Sequence, residues 1–360
     1  MRSEPNTGYR ESGERRLKIA AVQMDANPAP TTDRLARAER LVTDSAKAGA
    51  RLVVLPEVFN TGYAYNNENH TRVETIAGPT ASWMREIAAR LGIYLAGSLM
   101  LLEEGEVYNT LLLFAPDDQM WRYDKQYPWG WERGYFRASC QEAKVTVAQT
   151  ELGDLGMLIC WDAAHPHLWA SYAGRVDLMM ISSSPPSVST AAYHFPDGDQ
   201  LLLDQLGPIV ASTKGGELHV FGELINQQTA WLGVPAVQAV GCGQIRTEIP
   251  KGRHLMLGNA LTAPRLLKYL PGADRLQMVC NMVHECKVVD GSGKVLAGLA
   301  KEDGEAVALA TVSLAEAKAK PQEPQPGSGL PKLAYWLSDV YLPALAKSVY
   351  RQGQRRWRGS

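Results

Sequence analysis

"LGMLICWDAAHPHLW" occupies residues 155–169 of a 360-residue chain and sets two kinds of structure side by side. Up to Ile159 it is an apolar run of the kind that forms a buried strand. From Trp161 onward an acid, two alanines and Pro166 mark the start of a helix. Cys160 stands at the junction. Taken alone, such a cysteine is an ordinary small buried hydrophobe. Held at a strand end among other reactive groups, it is a nucleophile.

Working outward, "LKIAAVQMD" (17–25) reads as a first strand. A helix comes next, with Thr31 or Thr32 as its cap and Leu35, Ala38, Leu41, Val42 and Ala46 on one face. "RLVVLPE" is a second strand that stops at Pro56-Glu57, and "TASWMREIAARLG" a second helix with Trp83, Ile87, Ala88 and Leu91 turned inward. Strands are expected at "IYLAGSLML", "VYNTLLLFA", "KVTVAQTE" and "VDLMMISSS", then at "AVQAVGCG", "ECKVVD", "KVLAGLA" and "AVALATVS". Strand and helix alternate early and strands cluster late, which describes an α/β domain with helices outside its sheet. The chain divides into a disordered tail (1–16), one domain (17–317), and a Pro/Gly-rich linker with a basic tail (318–360).

Bulk properties exclude several classes. With 45% hydrophobic and 21% charged residues and a formal net charge of −1, the chain has ordinary globular composition and no electrostatic footprint for nucleic acid. It contains no apolar run of transmembrane length, and the charged start lacks the apolar core of a signal peptide. Five scattered cysteines (Cys140, Cys160, Cys242, Cys280, Cys286) include no CxxC pair, which argues against disulfides and structural zinc and for a reducing, cytoplasmic setting. No cluster of metal-ligand residues stands out, so no metal is expected.

Three polar residues stand where strands end: Glu57, Lys125 and Cys160. Functional groups of α/β proteins collect beyond strand ends. A helix start and a nearby cation would lower the thiol pKa. A carboxylate would move the proton, and an ammonium with the Trp161 backbone N–H would hold an oxyanion.

"LPEVFNTGY" (55–63), "YDKQYPWGWERGYF" (123–136) and "GMLICWDAAHP" (156–166) resemble, in order, the three motifs of the carbon–nitrogen hydrolase (nitrilase) superfamily. "KIAAVQMD", "VYNTLLLFAPD" and "ECKVVDGSGKVLA" resemble its framework, so the likeness spans roughly residues 17–315. The resemblance implies a four-layer αββα sandwich and no metal or organic cofactor. It also implies Cys160 as nucleophile, Glu57 as general base, Lys125 as oxyanion stabiliser and Glu132 as a second, positioning glutamate. Asp162 resembles amidases and carbamoyl hydrolases, whereas Trp161 and the missing glutamate after Pro166 lean toward nitrilases. The expected activity is that of a thiol hydrolase of small amides or N-carbamoyl compounds. Nitrile hydrolysis, acyl transfer through the same thioester, and a catalytically silent ligand- or partner-binding member are the alternatives.

Tyr63, Trp129, Trp131 and Trp161 would wall the substrate pocket, and His165 could hydrogen-bond substrate. Two insertions, about 187–230 and 244–280, fit the family poorly. In the second, Leu261, Leu266, Leu267 and Leu270 could form one amphipathic face, packed against the domain in the favoured reading, with a lid over the pocket, an oligomer contact or a membrane-surface contact as the alternatives. The basic, aromatic tail is read as a homo-oligomer contact, with a peripheral membrane contact as the less favoured use.

Overall fold

The computed structural model describes residues 14–139 and 145–358; residues 1–13 of the expected tail, and Cys140, lie outside the described residues. The chain begins with β1 (Glu14–Asp25), so residues 14–16 of that tail belong to a strand, held by antiparallel pairing of Glu14–Arg16 with Ser313–Ala315. Then come α1 (Thr31–Lys47), β2 (Leu52–Val54), α2 (Pro79–Leu91), β3 (Tyr94–Glu103), β4 (Glu106–Phe114) and β5 (Met120–Asp124). Next are β6 (Val147–Thr150), β7 (Gly153–Ile159), β8 (Leu178–Ser183), β9 (Ala192–His194), β10 (Gln200–Leu202), β11 (Ala236–Cys242), β12 (Gln244–Glu248) and β13 (Gln277–Asn281). The last strands are β14 (Lys287–Val289), β15 (Val295–Gly298) and β16 (Ala306–Ala315).

β1 pairs in parallel with β2 through Ile19–Ala21 and, further along, with β11 through Gln23–Asp25. It thereby passes from one half-sheet (β5-β4-β3-β2-β1-β16) to the other (β6-β7-β8-β11-β14-β15). Strand alternation then builds the layers. Ile19, Ala21, Leu52 and Val54 share the interior with Met157, Ile159 and Met180. Their neighbours Ala20, Val22, Val53 and Leu55 pack beneath α1 and α2, against Ala38, Val42, Met84 and Ile87. Leu158, Met179, Ile181, Trp169, Phe221 and Ile225 make up the opposite outer face. The result is the αββα sandwich.

The insertions build a second, four-stranded antiparallel sheet, ordered β10-β9-β13-β12, with short helices between its strands. The amphipathic face expected in the second insertion does not form. Leu266 is fully buried but Leu261 is 87% exposed, because Pro264–Tyr269 is a 3-10 turn rather than a continuing α-helix.

The 318–332 stretch is not a free linker. Gln325 donates to the Pro166 carbonyl and to the Gln228 side chain, Gln228 donates to the Pro326 carbonyl, and Lys318 pairs with Asp154 and Asp177. The chain ends in a helix, Leu342–Trp357, whose Leu342, Ala346, Val349 and Trp357 are buried against the chain's own body. No helix among the described residues is long and apolar enough to cross a membrane.

Candidate active site

Three loops converge at the ends of β2, β5 and β7. Glu57 comes after β2, Lys125 after β5, and Cys160 directly after β7. Two of these turns carry a non-glycine residue in the left-handed region: Val58 at φ 43 and Cys160 at φ 48. That conformation is costly, most of all for β-branched valine, and it survives only where surrounding contacts enforce it. Here the Val58 N–H donates to Ser98 Oγ (3.0 Å), and the Ser184 hydroxyl donates to the Glu57 carbonyl (2.9 Å). Both bonds reach across from other strands.

The side chains meet in a dry cluster. Lys125 Nζ donates to Glu57 Oε1 at 2.7 Å and to Glu132 Oε2 at 2.6 Å, with all three residues at least 98% buried. Carboxylate oxygens of Glu57 and Glu132 and the Cys160 sulfur all lie within 4.8 Å of one another. A metal ion does not fit the chemistry of this donor set, because both carboxylates are already engaged by the ammonium. Asn109 Nδ2 (2.7 Å) and the Ser184 N–H (2.9 Å) fix the two oxygens of Glu57. The Tyr63 hydroxyl (2.6 Å) and the Trp129 N–H (2.9 Å) fix those of Glu132.

These contacts set the charges. Burial pushes the Cys160 thiol well up, Glu57 and Glu132 reinforce that, and Lys125 only partly opposes it. The expectation of a lowered thiol pKa therefore fails. Cys160 opens a five-residue 3-10 turn, too short for a helix dipole, and the nearby carboxylates together with burial outweigh the cation. For Lys125, burial works against the ammonium, but Glu132 and Glu57 outweigh it and raise the pKa. Burial lifts Glu132 to about 7 against the pull of Lys125.

Asp162 plays a framework part. It accepts from the Tyr123 hydroxyl (2.8 Å), the Tyr127 N–H (2.8 Å) and the Ile159 N–H (3.3 Å), tying the lysine loop to the cysteine turn. Burial raises it to about 6.

Above the cluster opens a cavity of about 1080 Å³, part of it solvent. Cys160 and Glu132 lie in its wall with Tyr63, Trp129, Trp131 and Trp161. His165 does not. Its ring stacks on Tyr127 with centroids 3.6 Å apart, its Nδ1 meets the Trp161 carbonyl, and its Nε2 meets Asp339 at 3.1 Å. The imidazole fastens the C-terminal segment instead of facing substrate. Trp161 Nε1 donates to the same Asp339 (2.9 Å), and Leu330, Leu337, Tyr341 and Leu342 of that segment close one side of the cavity. The insertions close another, through Tyr193, Leu203, Glu217 and Met278.

Motif reading leaves a lid from the insertions open but does not place these walls, which lie far from Cys160 in sequence and carry no local signal. It also leaves Ser184 unread. The structure ties Asn109 to Glu57. A polar residue inside the apolar strand "VYNTLLLF" is the signal that marks it.

Comparisons with known proteins agree with this architecture. Residues 18–196 match the family model described as carbon-nitrogen hydrolase. A nitrilase of Pyrococcus abyssi is 28% identical over 155 residues, 42% of this chain and 58% of its own length. An omega-amidase of Danio rerio is 28% identical over 193 residues, 50% of this chain and 67% of its own. The match thus spans little more than half of the first of these relatives. In fold, the NitN amidase of Nesterenkonia sp. AN1 superposes with a TM-score of 0.58 at 20% identity, covering 81% of this chain and 91% of that one. A second structure of an amidase from that organism, with acrylamide added to its active-site cysteine, gives a TM-score of 0.58 at 18% identity, over 87% and 95% of the two chains. Taken with the ordered motifs and the sandwich, the family match makes this chain a member of the carbon–nitrogen hydrolase (nitrilase) superfamily.

Proposed function

We propose that the chain hydrolyses the C–N bond of a small amide or N-carbamoyl compound through a thioester on Cys160. The observation that carries this reading is the Lys125 ammonium held between Glu57 and Glu132, whose carboxylates lie within 4.8 Å of the Cys160 sulfur. Because the resting group is a neutral thiol, attack needs a base in the same step. Glu57 takes the thiol proton as sulfur bonds to the carbonyl carbon. The oxyanion that forms is held by Lys125 Nζ and by the Trp161 N–H, one of the amides at the start of a helical turn that lack an internal acceptor. Collapse breaks the C–N bond, the proton on Glu57 goes to the departing nitrogen, and a thioester remains. Water, deprotonated by Glu57, then releases the acid and restores the thiol. Glu132 orients Lys125 and shares its charge.

A nitrile would enter the same cluster to give a thioimidate, and similarity to a nitrilase favours that as the second reading. The test is ammonia release from a panel of aliphatic amides, aryl amides, N-carbamoyl compounds and nitriles. Wild type and Cys160→Ala are run together, with intact-mass measurement of adducts. Turnover of amides or carbamoyl compounds, at least a thousandfold lower in Cys160→Ala, is expected. Turnover of nitriles alone selects the second reading. Turnover that survives in Cys160→Ala overturns both.

A further inference from the structure

One wall of the cavity holds a carboxylate that chemistry at Cys160 does not use. Glu217 sits in the short helical segment Gly216–His219, lines the same cavity as Cys160, and is 8% exposed. Its Oε1 accepts from the Ser189 N–H (2.9 Å) and the Ser187 hydroxyl (3.3 Å). Its Oε2 is buried and has no hydrogen-bond partner among the described residues. The basic side chains nearest to it in sequence are engaged elsewhere, Lys214 with Asp204 and His219 with Glu223. The cavity wall around it is largely apolar, with Leu203, Leu206, Phe221 and Met278 among its residues. A buried carboxylate oxygen without a donor is unfavourable unless a small shift of the side chain lets something entering the cavity supply one.

Taking Cys160 as the point of attack, we propose that Glu217 forms a second subsite, which binds a cationic group at the far end of the substrate, a primary ammonium or a guanidinium. An apolar chain would join that group to the amide and lie along the hydrophobic wall. The substrate class is then an ω-cationic aliphatic amide. A purely local role for Glu217, anchoring the turn at Ser187–Ser189, needs only Oε1 and leaves Oε2 unexplained.

Glu217→Gln separates the two roles, since the amide oxygen still accepts from Ser189 while the charge is gone. The measurement is kcat/KM for ω-amino aliphatic amides against methyl-ended amides of the same length, over chains of four to eight carbons. Wild type is expected to favour the amino-ended member about tenfold or more at its best length, with the ratio falling to within about threefold in Glu217→Gln. Collapse of the fold would instead lower the rate with both substrates, so the ratio is read with the methyl-ended rate unchanged between the two proteins. An equal ratio in both proteins, or a wild-type preference for the methyl end, overturns the proposal.

Calorimetry keeps this separate from the hydrolytic reading. If no amide is turned over, binding of n-alkylammonium ions and n-alkanols to Cys160→Ala is compared with binding to Cys160→Ala/Glu217→Gln. Tighter binding of the ammonium, lost in the double variant, supports the subsite even where the hydrolytic reading fails. Equal binding of the two ligands overturns it.

Discussion

Burial raises both Cys160 and Glu132, and Lys125 opposes both shifts, so the cluster's charge depends on pH near neutrality. Glu132 is ionised above about 7 and protonated below it. Losing that charge leaves the Lys125 ammonium with one carboxylate instead of two. kcat/KM should therefore rise with pH through about 7, and Glu132→Gln should lack that limb in a pH–rate profile. An unchanged limb in the variant would assign it to another group. The stability linkage has the opposite sense. With its pKa raised from 4.5 to about 7, folded Glu132 holds a proton that the unfolded chain releases, so its contribution is full below 4.5 and lost as pH climbs to 7. Asn109 supplies one of the bonds that orient Glu57 (2.7 Å). Asn109→Ala should lower kcat by roughly ten- to a hundredfold, the worth of a hydrogen bond to a charged group, with little change in KM. The sequence places Asn109 on a strand, but only the fold turns its amide onto Glu57.

At the scale of elements, the C-terminal segment is the part least legible in the sequence. Its Pro/Gly-rich start resembles a linker and its basic residues resemble a docking tail, yet its apolar face is matched to its own domain. Gly130 and Gly134, in the turn that carries Glu132, allow that close approach. An added Cβ at Gly130 would meet Leu342 at 2.8 Å, and one at Gly134 would meet Val349 at 3.2 Å. Asp339 fastens the front of the segment to Trp161 and His165. Asp339→Ala should loosen that wall of the cavity, raising KM severalfold more than it lowers kcat and speeding proteolytic cleavage within 318–341. Unchanged KM and protease resistance would mean that Leu337 and Leu342 hold the segment without the acid. The insertions behave in the same way. β9 and β10 are short and belong to one insertion, β12 and β13 to the other, and they become a sheet only by pairing across nearly 90 residues, as Tyr193 does with Met278. Such pairing leaves no mark in either segment alone.

Across the whole molecule, the Glu57–Lys125–Cys160 cluster lies where two half-sheets and their outer helices meet, so packing far from the cavity supports it. Trp169 is fully buried on the outer side of the cysteine turn and donates from Nε1 to the Ala163 carbonyl (3.0 Å). Trp169→Ala should cost about 3–5 kcal/mol of stability through the cavity it leaves. In urea the midpoint should fall with the slope unchanged, whereas a lower slope would point to a more compact unfolded ensemble. Much of the sandwich is legible along the chain. Apolar runs such as "RLVVL" and "GMLI", each ending at a polar residue, are local patterns that strand geometry converts directly into layers and into strand-end residues. By itself, then, the sequence determined the alternation of strands and helices and which residue types stand at the ends of β2, β5 and β7, because those are properties of neighbours along the chain. Only the tertiary structure decided that Cys160 is a neutral thiol, that His165 turns away from the cavity, and that Glu217 and the C-terminal segment complete its walls. Each of these depends on burial and on distances between residues far apart in sequence, and no local pattern carries either.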